Sequence, residues 1–295
     1  MISGKTKMYA ILGKPIAQAL SPIVFNAMFE HLGEDAVFLG FDVEPDNLEA
    51  AVAGLRALKC SGFVVTMPFK IDIIPLLDRI DEQALRFGAV NLVKVDSDGS
   101  LVGHNTDGEG LVRAINAKGV ELAKKPVLLI GAGGVARSIG FSLLEAGIEE
   151  LVVCNIDEAE AQDMIEGLHS CGHANIRFIP FDETAVASEI LATPIIINAT
   201  SLGMHGMPNT HLSLIPWEKL DGVRLFADVV LDPPITSFLG EAIARSFITV
   251  GGRDMFVQQA LCAFKILFGK EGLEHVMHQA THTWLANKGG KGEMQ

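Results

Sequence analysis

Residues 127–140 read VLLIGAGGVARSIG. The apolar run that ends at Ile130 has strand character and the residues after the glycines have helical periodicity, so the glycines occupy a strand-to-helix turn. Gly131, Gly133 and Ala136 form a G-x-G-x-x-A pattern. In such a turn the first glycine permits the tight bend, the second lets backbone approach a pyrophosphate, and the small third residue lets the helix pack on its strand. Gly131, Ala132, Gly133, Gly134 and Val135 are therefore the expected phosphate cradle, at the positive end of a helix. A glycine-rich turn kept for packing alone would read the same way. The next strand closes with VVCNID, and Asp157 lies 21 residues beyond Ala136, where a carboxylate accepts hydrogen bonds from a ribose diol. A phosphate on that ribose would be repelled by Asp157, and Ile156 supplies no charge to offset it. The expectation is NAD as cofactor, with NADP disfavoured. Asp157 also suits the N-cap of the following helix, a role compatible with the first.

Outward from this turn, strand-like segments recur at 127–130, 151–154, 176–179, 194–198, 225–229 and 248–250, as in a doubly wound parallel sheet. Helices are expected over 254–268 and 274–286. These have no strands of their own to cover and are expected to pack on the first domain, before a tail, NKGGKGEMQ, that is expected to fray. Upstream, strands are expected at 8–12, 37–43, 62–67 and 90–95. Helices fall at 21–32, 47–58, 70–77 and 108–118, with Ser21 as an N-cap followed by Pro22. The fold class is α/β, with a dinucleotide domain over 108–252 and a smaller, discontinuous α/β domain over 1–107 and 253–295.

The chain of 295 residues is 49% hydrophobic and 20% charged, enough for two cores. A net charge of −13 and the lack of a basic run argue against nucleic acid and anionic membranes as partners. No window reaches the roughly 20 apolar residues of a membrane span, and no signal-like stretch opens the chain, so a cytoplasmic location is expected. Cys60, Cys154, Cys171 and Cys262 have no C-x-x-C spacing and are expected as reduced thiols. His169, Cys171 and His173 in HSCGH form the one cluster with metal-binding residue types. It lacks a fourth ligand at a recognised spacing and reads as a polar helix end, so no metal is expected.

Two further segments follow strands at the ligand-binding end of such a sheet, INATSLGM and VGGRDM. They make Asn198, Thr200, Leu202, Gly251 and Gly252 candidates to line a nicotinamide pocket, although each glycine taken singly reads as an ordinary turn. In GFVVTMPFK a buried strand delivers Thr66 to a loop, and Lys70 follows Pro68. In GHNTDGEG, Asp107 stands where an N-cap would stand. Alone, Lys70 is an ordinary solvated residue and Asp107 an ordinary cap.

The ordered segments GKPIAQALSP, VVTMPFK, GAVN, GHNTDGEG, LLIGAGGVAR, INATSLGM, DVVLDPPITSFL and GGRDMFVQQA together resemble the shikimate/quinate dehydrogenase family across nearly the whole chain. The resemblance implies a Rossmann-type domain and a substrate-binding catalytic domain on either side of a cleft. It implies a Lys–Asp pair, here Lys70 and Asp107, in which a half-buried Lys takes the proton of the alcohol being oxidised and the Asp orients it. It assigns Thr66, Asn91, Asn105 and Gln259 to ring hydroxyls, Ser21 to the substrate carboxylate, and Asn155 and Val229 to the cofactor. Asn91 and Asn105 are also credible turn residues, and Gln259 a credible exposed helix residue. A small-molecule substrate and a monomer or homodimer complete the implication.

Three positions depart from the family pattern. The S-x-S of the carboxylate clamp reads Ala19-Leu20-Ser21, D-x-x-Y reads Asp228-Val229-Val230-Leu231, and N-R-T reads Asn155-Ile156-Asp157. Losing a hydrogen bond to a charged group costs about 1.5–3 kcal/mol, roughly ten- to a hundredfold in binding. The expected reaction is interconversion of a ring alcohol and ketone on a shikimate- or quinate-like carboxylate, or on an analogue with an altered acid end. A non-catalytic sensor of a nucleotide or metabolite is the alternative outside enzymes; the presence of both Lys70 and Asp107 speaks against it. A folate-type dehydrogenase would need a Tyr–Lys pair, and the only tyrosine is Tyr9.

Overall fold

A computed structural model describes residues 2–207, 213–222 and 224–289, with side chains as far as residue 284. Positions 290–295 of the expected frayed tail lie outside the described residues. The chain divides into two compact units, Met1–Thr106 with Ala260–Gln295, and Asp107–Gln259.

The first unit carries β1 (Lys7–Gly13), α1 (Ser21–Leu32), β2 (Ala36–Asp42), α2 (Leu48–Ala57), β3 (Gly62–Val65), β4 (Arg79–Ile80), α3 (Glu82–Phe87), β5 (Leu92–Val95) and β6 (Leu101–His104). Its six-stranded sheet runs β2-β1-β3-β5-β6-β4. β5 lies antiparallel to both neighbours, and the other pairs are parallel. β4, β6 and α3 are additional to the elements expected from the sequence; β4, of two residues, is too short for a periodic pattern to register. The helix expected over 70–77 does not form. Pro75 has no N–H to give and obstructs the preceding turn, so this stretch makes turns and a 3-10 turn at Ile74–Leu76. At α1, Leu20 rather than Ser21 occupies the cap and no side chain bonds there. Ser21 is the buried first residue of the helix, ahead of Pro22.

The second unit begins with α4 (Asp107–Ala117), β7 (Pro126–Ile130), α5 (Gly134–Glu145), β8 (Glu150–Asn155) and α6 (Glu158–Ser170). It continues through β9 (Ile176–Pro180), α7 (Glu183–Ala192), β10 (Ile195–Asn198), β11 (Leu225–Asp228), α8 (Ser237–Ala244) and β12 (Ile248–Val250). The sheet order is β12-β11-β10-β7-β8-β9, with all pairs parallel. This is the doubly wound arrangement, in which chain order reverses beside β7 and ligand sites open at the carboxyl ends of the strands. The change from one unit to the other falls within α9 (Gly252–Phe268), and α10 (Glu274–Gly289) follows. In the first unit the end of α9 closes an aromatic core: Phe264 stacks on Phe268 at 4.4 Å, and Phe268 meets Tyr9 at 5.0 Å between ring centres. α10 lies against α1.

Asp107 is not a cap outside α4 but the first residue of the helix, and it is buried. The glycines beside it have a steric reason. A Cβ on Gly108 would sit 2.0 Å from the Ser138 carbonyl oxygen of α5, and one on Gly110 would sit 2.7 Å from the Gln259 backbone nitrogen of α9. Only glycine permits both approaches. Gly108→Ala is expected to cost about 1–3 kcal/mol through overpacking, read as a lower urea midpoint. An unchanged midpoint would mean that α4 can shift without loss.

Candidate functional site

In the first unit, register brings several of the expected residues to one end of the sheet. β1 and β3 run parallel and finish together, with Leu12 opposite Val65. Thr66 N–H then donates to the Leu12 carbonyl at 2.9 Å, and Val65 N–H to the Asn91 carbonyl at 2.8 Å. Because β5 is antiparallel, its first residues meet the last residues of β3. Val90 N–H donates to the Lys70 carbonyl at 2.7 Å, which ties the loop carrying Lys70 to the entry of β5. Asn91 is buried. Its Nδ2 donates to Thr106 Oγ1 at 3.0 Å, and its Oδ1 accepts from Thr106 N–H at 2.9 Å. Asn105 Nδ2 donates to the Ala89 carbonyl at 3.0 Å. Thr66 and Lys70 are half-buried. Ser21 follows the loop that leaves β1, where Lys14 N–H is held by the Met67 carbonyl at 3.0 Å. Thr66, Lys70, Asn91 and Asn105 thus share one sheet end. Asp107 and Gln259 belong to the second unit.

The nucleotide turn lies in that second unit, between β7 and α5. Gly131 has φ +114°, a conformation that favours glycine, and a Cβ there would sit 3.0 Å from the Ala199 carbonyl oxygen. Gly133 caps α5 with no side chain bonding to the first N–H groups, and the nearest atom to a Cβ at Gly133 would be Glu160 Oε1 at 4.0 Å. Open space before uncapped N–H groups fits a pyrophosphate. Ala136 is fully buried, as close packing of α5 requires. Among the described residues no group of three or more His, Cys, Asp or Glu could hold a metal ion. His169 Nδ1 instead lies 2.6 Å from the His173 carbonyl at the end of α6. All four cysteines are free, and no described helix is long and apolar enough to cross a membrane.

Residues 11–93 match the shikimate dehydrogenase substrate binding domain, and residues 113–245 match the family described as shikimate / quinate 5-dehydrogenase. The chain is 36% identical to shikimate dehydrogenase (NADP(+)) of Moorella thermoacetica, over 98% of this chain and 97% of that one. The chain belongs to the shikimate dehydrogenase family. It is 39% identical to shikimate dehydrogenase (NADP(+)) of Bacillus mycoides, covering 89% of this chain and 93% of that one. The crystal structure of shikimate 5-dehydrogenase from Listeria monocytogenes in complex with shikimate and NAD superposes with a TM-score of 0.86, at 32% identity, over 94% of this chain and 97% of that one.

The family correction falls on the cofactor. The curated relatives carry NADP(+) in their names, which overturns the expectation of NAD drawn from Asp157. The structure supplies a physical reason. Asp157 Oδ1 accepts from Ala159 N–H at 2.9 Å and Glu160 N–H at 3.2 Å, so this carboxylate caps α6. Its presence has a cause in the helix, independent of any cofactor. Asn155, which is buried, donates to the Asp157 carbonyl and to Glu160 Oε2, both at 2.9 Å, and so holds the same cap.

At the carboxyl ends of β10 and β11 the chain builds a buried polar network. Asn198 Nδ2 donates to Asp228 Oδ1 and to the Leu202 carbonyl, both at 3.1 Å, and Asn198 Oδ1 accepts from Thr200 Oγ1 at 2.6 Å. Val229 N–H donates to the Asn198 carbonyl. Thr236 Oγ1, which the sequence reading missed, donates to Asp228 Oδ2 at 2.6 Å while accepting from Leu239 N–H as the cap of α8. A Thr just ahead of an apolar helix is a cap signal that could have found it. Thr200, Leu202 and Val229 are therefore brought together. Gly252 joins them because a Cβ there would sit 2.3 Å from the Val230 carbonyl oxygen.

Burial pushes the Asp228 carboxyl up to about 6, against the pull of hydrogen bonds from Thr236, Val230 and Asn198. A folded pKa above the unfolded value of 3.8 means the native state keeps this proton longer than the unfolded chain. Its contribution to stability is present below that value and is lost as pH rises through about 6. Relative to wild type, Asp228→Asn should gain about 2–3 kcal/mol between about pH 4 and pH 7, measured by urea unfolding at both. A difference independent of pH would mean that Asp228 titrates alike in both states.

Proposed function

We propose that this chain interconverts a ring hydroxyl and a ring ketone on shikimate or quinate, or on a close relative of these carboxylates, with NADP as the paired nucleotide. The observation that carries the reading is the convergence of Thr66, Lys70, Asn91 and Asn105 at one sheet end, in a chain that matches both domains of the family. The Gly131–Val135 turn and the N-terminus of α5 would hold the pyrophosphate, with Asn155, Thr200, Leu202, Val229 and Gly252 along the rest of the cofactor. Asp157 stays with the helix cap.

In the oxidative direction the ring C–H bond breaks with its electron pair while the hydroxyl O–H bond gives its proton to Lys70 Nζ, leaving a C=O. Bound at the site, the nicotinamide supplies the acceptor for that hydride. Asp107 hydrogen-bonds the reacting or an adjacent hydroxyl and orients Lys70. Thr66, Asn91, Asn105 and Gln259 bind the other hydroxyls, which fixes the face of the ring presented for transfer. Ser21 hydrogen-bonds the carboxylate. Ala19 and Leu231 supply no hydroxyl where the family pattern has Ser and Tyr, so the acid end is held by fewer donors and a raised KM is expected for shikimate.

The test is initial-rate reduction of NADP with shikimate and with quinate, in wild type and Lys70→Ala. Wild type should show saturable turnover. Lys70→Ala should lower kcat/KM by about 10²–10⁴ while NADP binding, followed by fluorescence, stays unchanged. Equal loss of NADP binding would make Lys70 a structural residue, and absence of wild-type turnover with either acid would sink the substrate assignment.

A further inference from the structure

A second cavity lies in the first unit, away from the sheet end that carries Thr66 and Lys70. It has a volume of about 400 Å³ and is lined by Lys7, Tyr9, Arg56, Lys59, Ser61 and Lys94 over an apolar floor that includes Leu55, Phe63 and Leu101. Register fixes its place. Lys7 opens β1, and Lys94 of β5 pairs with Gly62 at the start of β3. Asn91 and Thr66 stand at the opposite ends of those strands, about 10 Å away at the rise of a strand.

Charge marks this cavity out. In a chain of net charge −13, four cations line it against one carboxylate, Asp96. Asp96 is itself paired with Arg79 at 2.8 Å and Lys94 at 3.5 Å, and Arg56 with Asp78 at 2.8 Å. Among the described residues neither Lys7 nor Lys59 has a carboxylate within ion-pair distance. The Tyr9 hydroxyl, hydrogen-bonded with Ser61, adds a polar group to the wall.

Backbone conformation adds a second observation. Lys59 has φ +55° just past the end of α2, where Lys59 N–H bonds the Arg56 carbonyl and Cys60 N–H the Leu55 carbonyl. This left-handed closing position strongly favours glycine. The same chain closes α1 and α3 with Gly33 at φ +66° and Gly88 at φ +63°. Lys124 and Ser246 also take positive φ, but neither lines this cavity. At residue 59 the strained backbone sets an ammonium without an acidic partner beside Lys7.

We propose that this cavity binds a small phosphate monoester with a ring or other compact apolar body, at a site separate from the dehydrogenase site. Two ammonium groups outside ion-pair distance of a carboxylate match the dianion, which Lys binds as a point charge, with Glu34 in longer-range electrostatic reach of Lys7. The Tyr9 and Ser61 hydroxyls offer further hydrogen bonds, the apolar floor takes the ester group, and the volume is in the range of small-ligand sites.

The test is calorimetric titration of the full chain with phenyl phosphate, inorganic phosphate and benzoate, at low and high salt. Phenyl phosphate is expected to bind at one site, at least about tenfold tighter than either control, and more weakly as salt rises. Lys59→Gly removes the ammonium and relieves the backbone, so it should weaken phenyl phosphate about fivefold or more while raising Tm by about 2–4 °C. Lys7→Gln combined with Lys59→Gly should abolish binding and leave dehydrogenase turnover unchanged. Undiminished affinity in the double variant, equal binding of benzoate, or displacement of phenyl phosphate by NADP would each overturn the proposal, the last by placing the anion in the nucleotide turn.

Discussion

Backbone contact between α4 and α5 at Gly108 is the constraint on which the second unit depends. With no Cβ, Gly108 lets α4 lie against the Ser138 carbonyl, and Gly110 does the same toward Gln259. α5 is the helix whose N-terminus faces the nucleotide turn. The first residue of α4, Asp107, and the Gln259 region of α9 are therefore held at fixed positions relative to the phosphate end of α5. Asp107 and the start of α5 are thereby tied through a direct backbone approach at Gly108.

Buried polar groups impose the next constraint. Asn198 and Asp228 are fully buried, and such groups are costly unless each is hydrogen-bonded. Thr200, Thr236, the Val230 N–H and the Leu202 carbonyl supply the partners. The loops after β10 and β11 are thereby fastened to the strands that precede them. Beside β11, at the end of α7, buried Arg224 donates to the Ile190, Leu191 and Thr193 carbonyls at 2.6–3.0 Å, which satisfies the terminal acceptors of that helix. Hydrogen bonds from Arg224 thus satisfy the carbonyl end of α7, whereas the N-terminus of α5 has no side-chain cap.

Much of this was legible in the sequence because it rests on local chemistry. Six parallel strands of the second unit were visible as short apolar runs, and the nucleotide turn as Gly131, Gly133 and Ala136. The residues at the first sheet end were legible only through the ordered motifs. Thr66 and Asn91 are 25 positions apart and meet because β5 turns back along β3, a pairing that no spacing encodes. Asp157 misled for a related reason. A carboxylate after the second strand suits both a ribose and a helix cap; the geometry at Ala159 and Glu160 establishes the cap, while the relatives' names point to NADP.

By itself the sequence determined the α/β class, the glycine-rich strand-to-helix turn and the family, since these follow from periodicity, from glycine at positions of restricted geometry, and from motifs in a constant order. Tertiary structure decided the rest. It ended the supposed helix at 70–77, because Pro75 interrupts it where the apolar pattern does not. It made Gly108 and Gly110 of GHNTDGEG points of helix contact, because only the neighbouring backbone shows what a Cβ would strike. It also gathered Lys7, Lys59 and Lys94 around one cavity, since charges far apart in the chain share a field only once strands place them side by side.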